Sequence, residues 1–206
     1  ARWGQKMGDV AAMDMLLGTL NCPFGTGHMG ITAENVAGEH EVTRAQQDAF
    51  AVLSQERAAA AIAAGHFAEQ IVPVEVRRGR DTVAFDVDEH PKATTLDKLA
   101  GLRPVFQKDG SVTAGNASGI NDGAAALVLA RASTATSAGL RPLARIIGYA
   151  HAGVRPEVMG IGPIPAVTKL FEKTGLTAGD FDVIESNEAF ASQALAVSKA
   201  LGFDPA

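Results

Sequence analysis

The chain has 206 residues, 47% of them hydrophobic and 20% charged, which is enough apolar material for one large or two small cores. A net charge of −5 and a pI near 5.5 argue against nucleic acid or an anionic membrane as the main partner. No apolar stretch reaches the roughly 18 residues of a membrane span, and one cysteine excludes an internal disulfide framework and fits a reducing, cytoplasmic compartment. The chain opens on Ala1 within the basic run Ala1-Arg2-Trp3-Gly4-Gln5-Lys6 and stops after a helical pattern, which reads as a piece of something longer.

The first half reads as helices around one small hairpin. Val10, Met13, Leu16, Leu17 and Leu20 recur at helical spacing. The turn-rich segment Asn21-Cys22-Pro23-Phe24-Gly25-Thr26-Gly27 follows as a loop. A second helix is expected from near Thr32 through Ala37. A third starts at Thr43, where Gln46 three residues on completes a capping box, and runs to Gly65. Val74 and Val76, then Val83, Phe85 and Val87, alternate with polar residues across Arg77-Arg78-Gly79-Arg80-Asp81, the pattern of a β-hairpin.

The second half changes character near Gly123. Ala124 to Ala130 is a continuous apolar run, as in a strand covered on both faces. Leu143 to Tyr149 and Asp182 to Glu185 are further candidate strands. Helices are expected over Pro165 to Thr174, with Gly175 just past the end, and from about Asn187 to Leu201. This alternation implies an α/β fold with a parallel layer.

Four stretches carry chemical signal. In Gly27-His28-Met29-Gly30-Ile31-Thr32-Ala33-Glu34-Asn35-Val36-Ala37, a histidine among glycines before a helix either presents its ring to a ligand or fixes its own loop. In Ala114-Gly115-Asn116-Ala117-Ser118-Gly119-Ile120-Asn121-Asp122-Gly123-Ala124, glycines let backbone approach a ligand, with Asn116 and Ser118 offering polar side chains; the bland reading is a tight entry into a buried strand. No Gly-Lys-Ser/Thr follows, so this is not a nucleotide phosphate loop. Met159-Gly160-Ile161-Gly162-Pro163-Ile164-Pro165 is a rigid turn ahead of a helix. In Glu185-Ser186-Asn187-Glu188-Ala189-Phe190-Ala191, polar residues sit where a buried strand hands over to a helix. Asn187 there either stabilises developing negative charge or caps the helix.

Together, in this order, the four resemble the thiolase superfamily, and within it the bacterial acetyl-CoA acetyltransferases and β-ketothiolases. The resemblance implies a fragment of the five-layered αβαβα thiolase fold. Residues 1–121 would be the CoA-binding loop domain, 122–140 the end of the N-terminal half with its last strand, and 141–206 the start of the C-terminal half. It implies acyl transfer and reversible Claisen condensation of acetyl-CoA with acyl-CoA, with thiolysis of 3-oxoacyl-CoA in reverse. The CoA thioester is substrate; no separate cofactor and no metal are expected.

By the same resemblance, Asn187 would hold the water that completes an oxyanion hole for the thioester enolate. His28 and Met29 would face the pantetheine and acyl chain, and Ser118 would bond the pantetheine amide. Leu20, Phe106 and Ala114 would line the CoA channel, and Met159, Ala189 and Phe190 the acyl pocket. The family's nucleophile in Cys-x-Ser-Gly, its Gly-His-Pro histidine and its acid/base cysteine are absent from these residues. Cys22, in Asn-Cys-Pro-Phe, matches a variable loop position. Lys98 stands where some members carry a serine near the adenine, either pairing with a CoA phosphate or simply solvated. The full-length enzyme would be a cytoplasmic homotetramer serving fatty acid metabolism or polyhydroxyalkanoate biosynthesis. The competing readings are a non-catalytic thiolase-like protein binding acyl-CoA or lipid, and an isolated oligomerisation module.

Overall fold

A computed structural model describes residues 11–122 and 126–203. The basic run at residues 1–6, Val10 of the first expected helix, and Ala124 and Ala125 of the apolar run lie outside the described residues. Helix α1 spans Met15–Leu20, shorter than its periodicity predicts, because Asp14 caps it by accepting from Leu17 N–H at 2.9 Å. The turn segment closes an antiparallel ribbon of β1 (Asn21–Cys22) and β2 (Gly27–His28), with Asn21 opposite His28.

Helix α2 (Met29–Glu39) begins earlier than Thr32 because the His28 ring is its cap: Nδ1 accepts from Gly30 N–H at 3.0 Å. Helix α3 (Arg44–Ala63) starts on the expected capping box of Thr43 and Gln46. Strands β3 (Val74–Arg78) and β4 (Asp81–Phe85) form the expected hairpin, with Val74 opposite Phe85 and Val76 opposite Val83. Its turn is tighter than expected and Val87 lies beyond it. Helix α4 (Leu96–Ala100) and helix α5 (Ala132–Ser137) follow. A 3₁₀ segment, Pro156–Ile161, leads into α6 (Pro163–Thr174), which stops at Gly175. A last helix, α7, covers Ala191–Leu201.

The core lies between α2, α7 and the 3₁₀ segment. Val36, Val42, Val158 and Ala196 are buried together, with Ile161 and Leu195 packed against them. Ser192 on α7 donates its hydroxyl to Ala33 O of α2 at 3.0 Å, so this small-residue interface also carries a directed bond. Asn35 donates to Glu157 O at 2.9 Å and ties α2 to the 3₁₀ segment.

A polar clamp holds residues 111–116 onto α2 and α3. Glu34, only 8% exposed, accepts from Ser111 N–H (2.8 Å), Ser111 Oγ–H (2.9 Å) and Val112 N–H (2.9 Å). Buried Gln47 donates to Val42 O at 3.1 Å and to Ser111 Oγ at 2.9 Å. Asn116, offered by the sequence as a ligand contact, is instead buried structure. Its amide donates to Asp48 Oδ1 and Ser111 O, both at 3.0 Å, and its oxygen accepts from Thr113 N–H at 2.8 Å. Asp48 in turn is paired with Arg44 at 2.7 Å.

Two expectations are corrected. The runs 126–130, 143–149 and 182–185 carry no strand pairing, and the pairing among the described residues is confined to the two ribbons and an isolated antiparallel bridge between Ala117 and Phe190. An extended run becomes a strand only when a neighbour meets its N–H and C=O groups. Without one, Val128 is 96% exposed and Leu143 98%. The last helix starts at Ala191, not Asn187, because the preceding backbone is already committed. Ser118 N–H donates to Ala189 O at 3.0 Å, and Ala191 N–H donates to Asn116 O at 2.9 Å. Phe190 therefore occupies the cap position, with no side-chain cap bond.

Glu34→Ala leaves buried amides without acceptors and is expected to lose about 3 kcal/mol of stability. Thr43→Ala at the exposed cap of α3 should cost about 1 kcal/mol. Urea midpoints of the two variants check this, and equal losses would show that the clamp adds nothing beyond an ordinary cap.

Candidate functional site

The clamp and the Ala117–Phe190 bridge set five chain segments around one open cavity of about 710 Å³. Leu20 enters from the end of α1, and His28 and Met29 from the start of α2. Phe106, Ala114 and Ser118 come from the clamped loop, Met159 from the 3₁₀ segment, and Asn187, Ala189 and Phe190 from the strip before α7. The ten residues given catalytic or binding roles by the resemblance thus line the same space, and His28, Met29 and Ser118 share it despite their separation along the chain. Lys98, exposed on α4, does not line it.

The aromatic side of the cavity is built by stacking. The His28 ring lies on Phe106 with centroids 4.7 Å apart and planes 23° apart, and Phe106 meets Phe190 edge-on at 6.4 Å. Gly30 makes this possible, since a Cβ there would run into the Phe106 ring. The two roles weighed for His28 are therefore compatible. Its Nδ1 is the acceptor of the α2 cap, so the neutral ring carries its proton on Nε2. That leaves an N–H donor with no protein partner among the described residues.

Asn187 is exposed and stands on the rim of this cavity, and it also lines a second cavity of about 990 Å³ on the far side of residues 117–119. The cap role weighed for it does not hold, because the helix begins four positions later. No hydrogen bond among the described residues engages its amide, so the amide is available to a ligand or a water. Beside it, Glu188 is used structurally and accepts from the Ser54 hydroxyl at 2.6 Å.

Cys22 lines neither cavity. It sits in the β1–β2 ribbon, buried, opposite Gly27. The neighbouring Thr26 side chain holds its thiol below the ordinary range, against the opposing effect of desolvation. No group of three or more histidine, cysteine, aspartate or glutamate side chains that could hold a metal ion occurs among the described residues.

Sequence reading missed Val105, Ile120, Ser186 and Gln193, which also line the cavity. Val105 adjoins Phe106, and Ile120 and Ser186 lie inside quoted stretches, where they read as ordinary neighbours of the residues selected. Gln193 falls three positions after Phe190, one helical turn on, a spacing that puts it beside a residue already selected.

Two family models match the chain: the thiolase N-terminal domain over residues 1–133 and the thiolase C-terminal domain over residues 140–206. The chain is 56% identical over 208 residues to the beta-ketothiolase BktB of Cupriavidus necator, covering 100% of this chain and 53% of that protein. It is 55% identical over 206 residues to an acetyl-CoA acetyltransferase of Escherichia coli, covering 99% and 52% respectively. Among solved structures, the Bacillus anthracis acetyl-CoA acetyltransferase superposes with a TM-score of 0.88 at 50% identity, over 98% of this chain and 52% of that one. Human mitochondrial 3-ketoacyl-CoA thiolase in complex with CoA superposes with a TM-score of 0.86 at 44% identity, over 98% and 51%. The chain therefore spans about half the length of the curated relatives it matches. Matched by thiolase models along nearly its whole length and more than half identical to thiolases across it, the chain belongs to the thiolase family.

Proposed function

We propose that this chain carries the acyl-CoA-binding part of a thiolase that condenses acetyl-CoA with an acyl-CoA and cleaves 3-oxoacyl-CoA in reverse. The observation that supports it is the single cavity shared by Leu20, His28, Met29, Phe106, Ala114, Ser118, Met159, Asn187, Ala189 and Phe190. A pantetheine arm is long and largely apolar with two amides, so its site needs apolar walls and a few directed polar contacts. Met29, Phe106, Met159 and Phe190 supply walls. Ser118 and the free N–H of His28 supply polar contacts suited to the amides.

The chemistry requires removal of a proton α to a thioester carbonyl, which is feasible only where the enolate charge is stabilised. A preorganised amide such as Asn187, acting directly or through a held water, supplies one such donor. The bonds to carbon need a thiolate and a base that these residues do not provide: the one thiol, Cys22, is packed in its ribbon away from the cavity. Binding and charge stabilisation thus fall to this chain, and nucleophile and proton transfer to groups outside these residues. A cytoplasmic homotetramer acting in fatty acid or polyhydroxyalkanoate metabolism belongs to the same proposal and is supported by the family resemblance alone.

The chain by itself is expected to bind CoA without thiolysing acetoacetyl-CoA, and Cys22→Ala should leave both properties as they are. Turnover that disappears with Cys22→Ala would assign the nucleophile to that residue and overturn the division of labour.

In a full-length thiolase carrying this sequence, Asn187→Ala should lower the condensation rate by about two to three orders of magnitude. KM for acetyl-CoA should change little, because the interaction strengthens mainly in the transition state. Steady-state kinetics of the variant decide it, and an unchanged rate would remove Asn187 from the chemistry.

A further inference from the structure

Several polar side chains lining the cavity are already committed to the fold. Thr32 donates its hydroxyl to Met29 O, the Thr113 hydroxyl accepts from Gly115 N–H, and the Nδ1 of His28 caps α2. Gln193 differs. It lies in the first turn of α7, is 7% exposed, and lines the cavity together with Met159, Phe190 and Asn187. Its Oε1 is sealed from solvent and accepts no hydrogen bond, and its NH2 finds no acceptor among the described residues.

The stem of this side chain is nonetheless held in place. A Cβ on Gly160 would lie 3.0 Å from Gln193 Cγ and 3.3 Å from its Cβ, so the bare glycine lets the segment bearing Met159 rest against the glutamine stem. A fixed stem with an idle amide, set in a wall of methionine and phenylalanine, is an arrangement that a protein keeps at a cost, since buried amides are almost always bonded. A ligand filling the cavity that this amide lines can supply the partner.

We infer that Gln193 is a further ligand-binding residue of this cavity, donating through Nε2 to a carbonyl oxygen of the bound CoA thioester. Neither end of the amide is bonded within the described residues, so its orientation is free to follow the ligand, and a carbonyl acceptor on the ligand draws the NH2 end. Three such carbonyls exist along the acyl-pantetheine arm, the thioester carbonyl and the two pantetheine amide carbonyls. This inference rests on the acyl-CoA reading of the cavity.

The test is calorimetric titration of the chain and its Gln193→Met variant with CoA and with acetyl-CoA. Methionine keeps the length and apolar stem and removes only the amide. Losing one hydrogen bond should weaken binding about five- to tenfold, while the thermal midpoint stays level or rises. A loss confined to acetyl-CoA assigns the bond to the thioester carbonyl; an equal loss for both ligands assigns it to the pantetheine. Wild-type affinity for both ligands in the variant overturns the inference. A second measurement on the unmodified chain covers a variant that does not fold: the side-chain ¹⁵NH₂ signal of Gln193 should move on saturation with acetyl-CoA, and a signal that stays put overturns the inference as well. Failure of the wild-type chain to bind either ligand would instead overturn the acyl-CoA reading itself, and this one with it.

Discussion

A carboxylate with so little contact with water as Glu34 is tolerated only when donors surround it, and here Ser111 and Val112 supply them from a distant part of the chain. That bond set anchors residues 111–112. Asn116 and Asp48 carry the constraint onward, and Ala117 and Ser118 then lie in register for the backbone exchange with residues 189–191. The cavity wall, the position of Asn187 and the first turn of α7 all follow from this chain of bonds. Glu34 belongs to the same motif as His28, so one short stretch both holds the far wall and furnishes the near one.

Much of the local structure was legible because its signals are local. The Thr43–Gln46 box, the glycine stop of α6 and the alternation of the hairpin each involve residues within a turn or two of one another. Family membership was legible too, since four separated motifs in one order leave little room for another fold. The cavity residues could be named through that resemblance, while their meeting in space rests on contacts between segments far apart.

What the sequence hid is non-local. The start of α7 moved because backbone groups of Asn116 and Ser118, distant in sequence, had already taken the partners an earlier helical turn would have used. Nothing within residues 187–191 reports that. Asn116 read as a ligand contact for the same reason: its buried partners Asp48 and Ser111 lie on other segments. His28 looked like a choice between two roles, because the ring's cap bond is local but its stack on Phe106 is not.

The apolar runs at 126–130 and 143–149 have the residue types of buried strands and almost no cover. Exposed extended segments of this kind recruit further strands, from a proper neighbour or from another copy. Arg131 follows the first run, Arg141 precedes the second and Arg145 interrupts it. Positive charge placed so acts as a gatekeeper, making the stacking of like segments repulsive while leaving each free to pair with a differently charged neighbour. Salt, by screening these three arginines, is expected to weaken that repulsion.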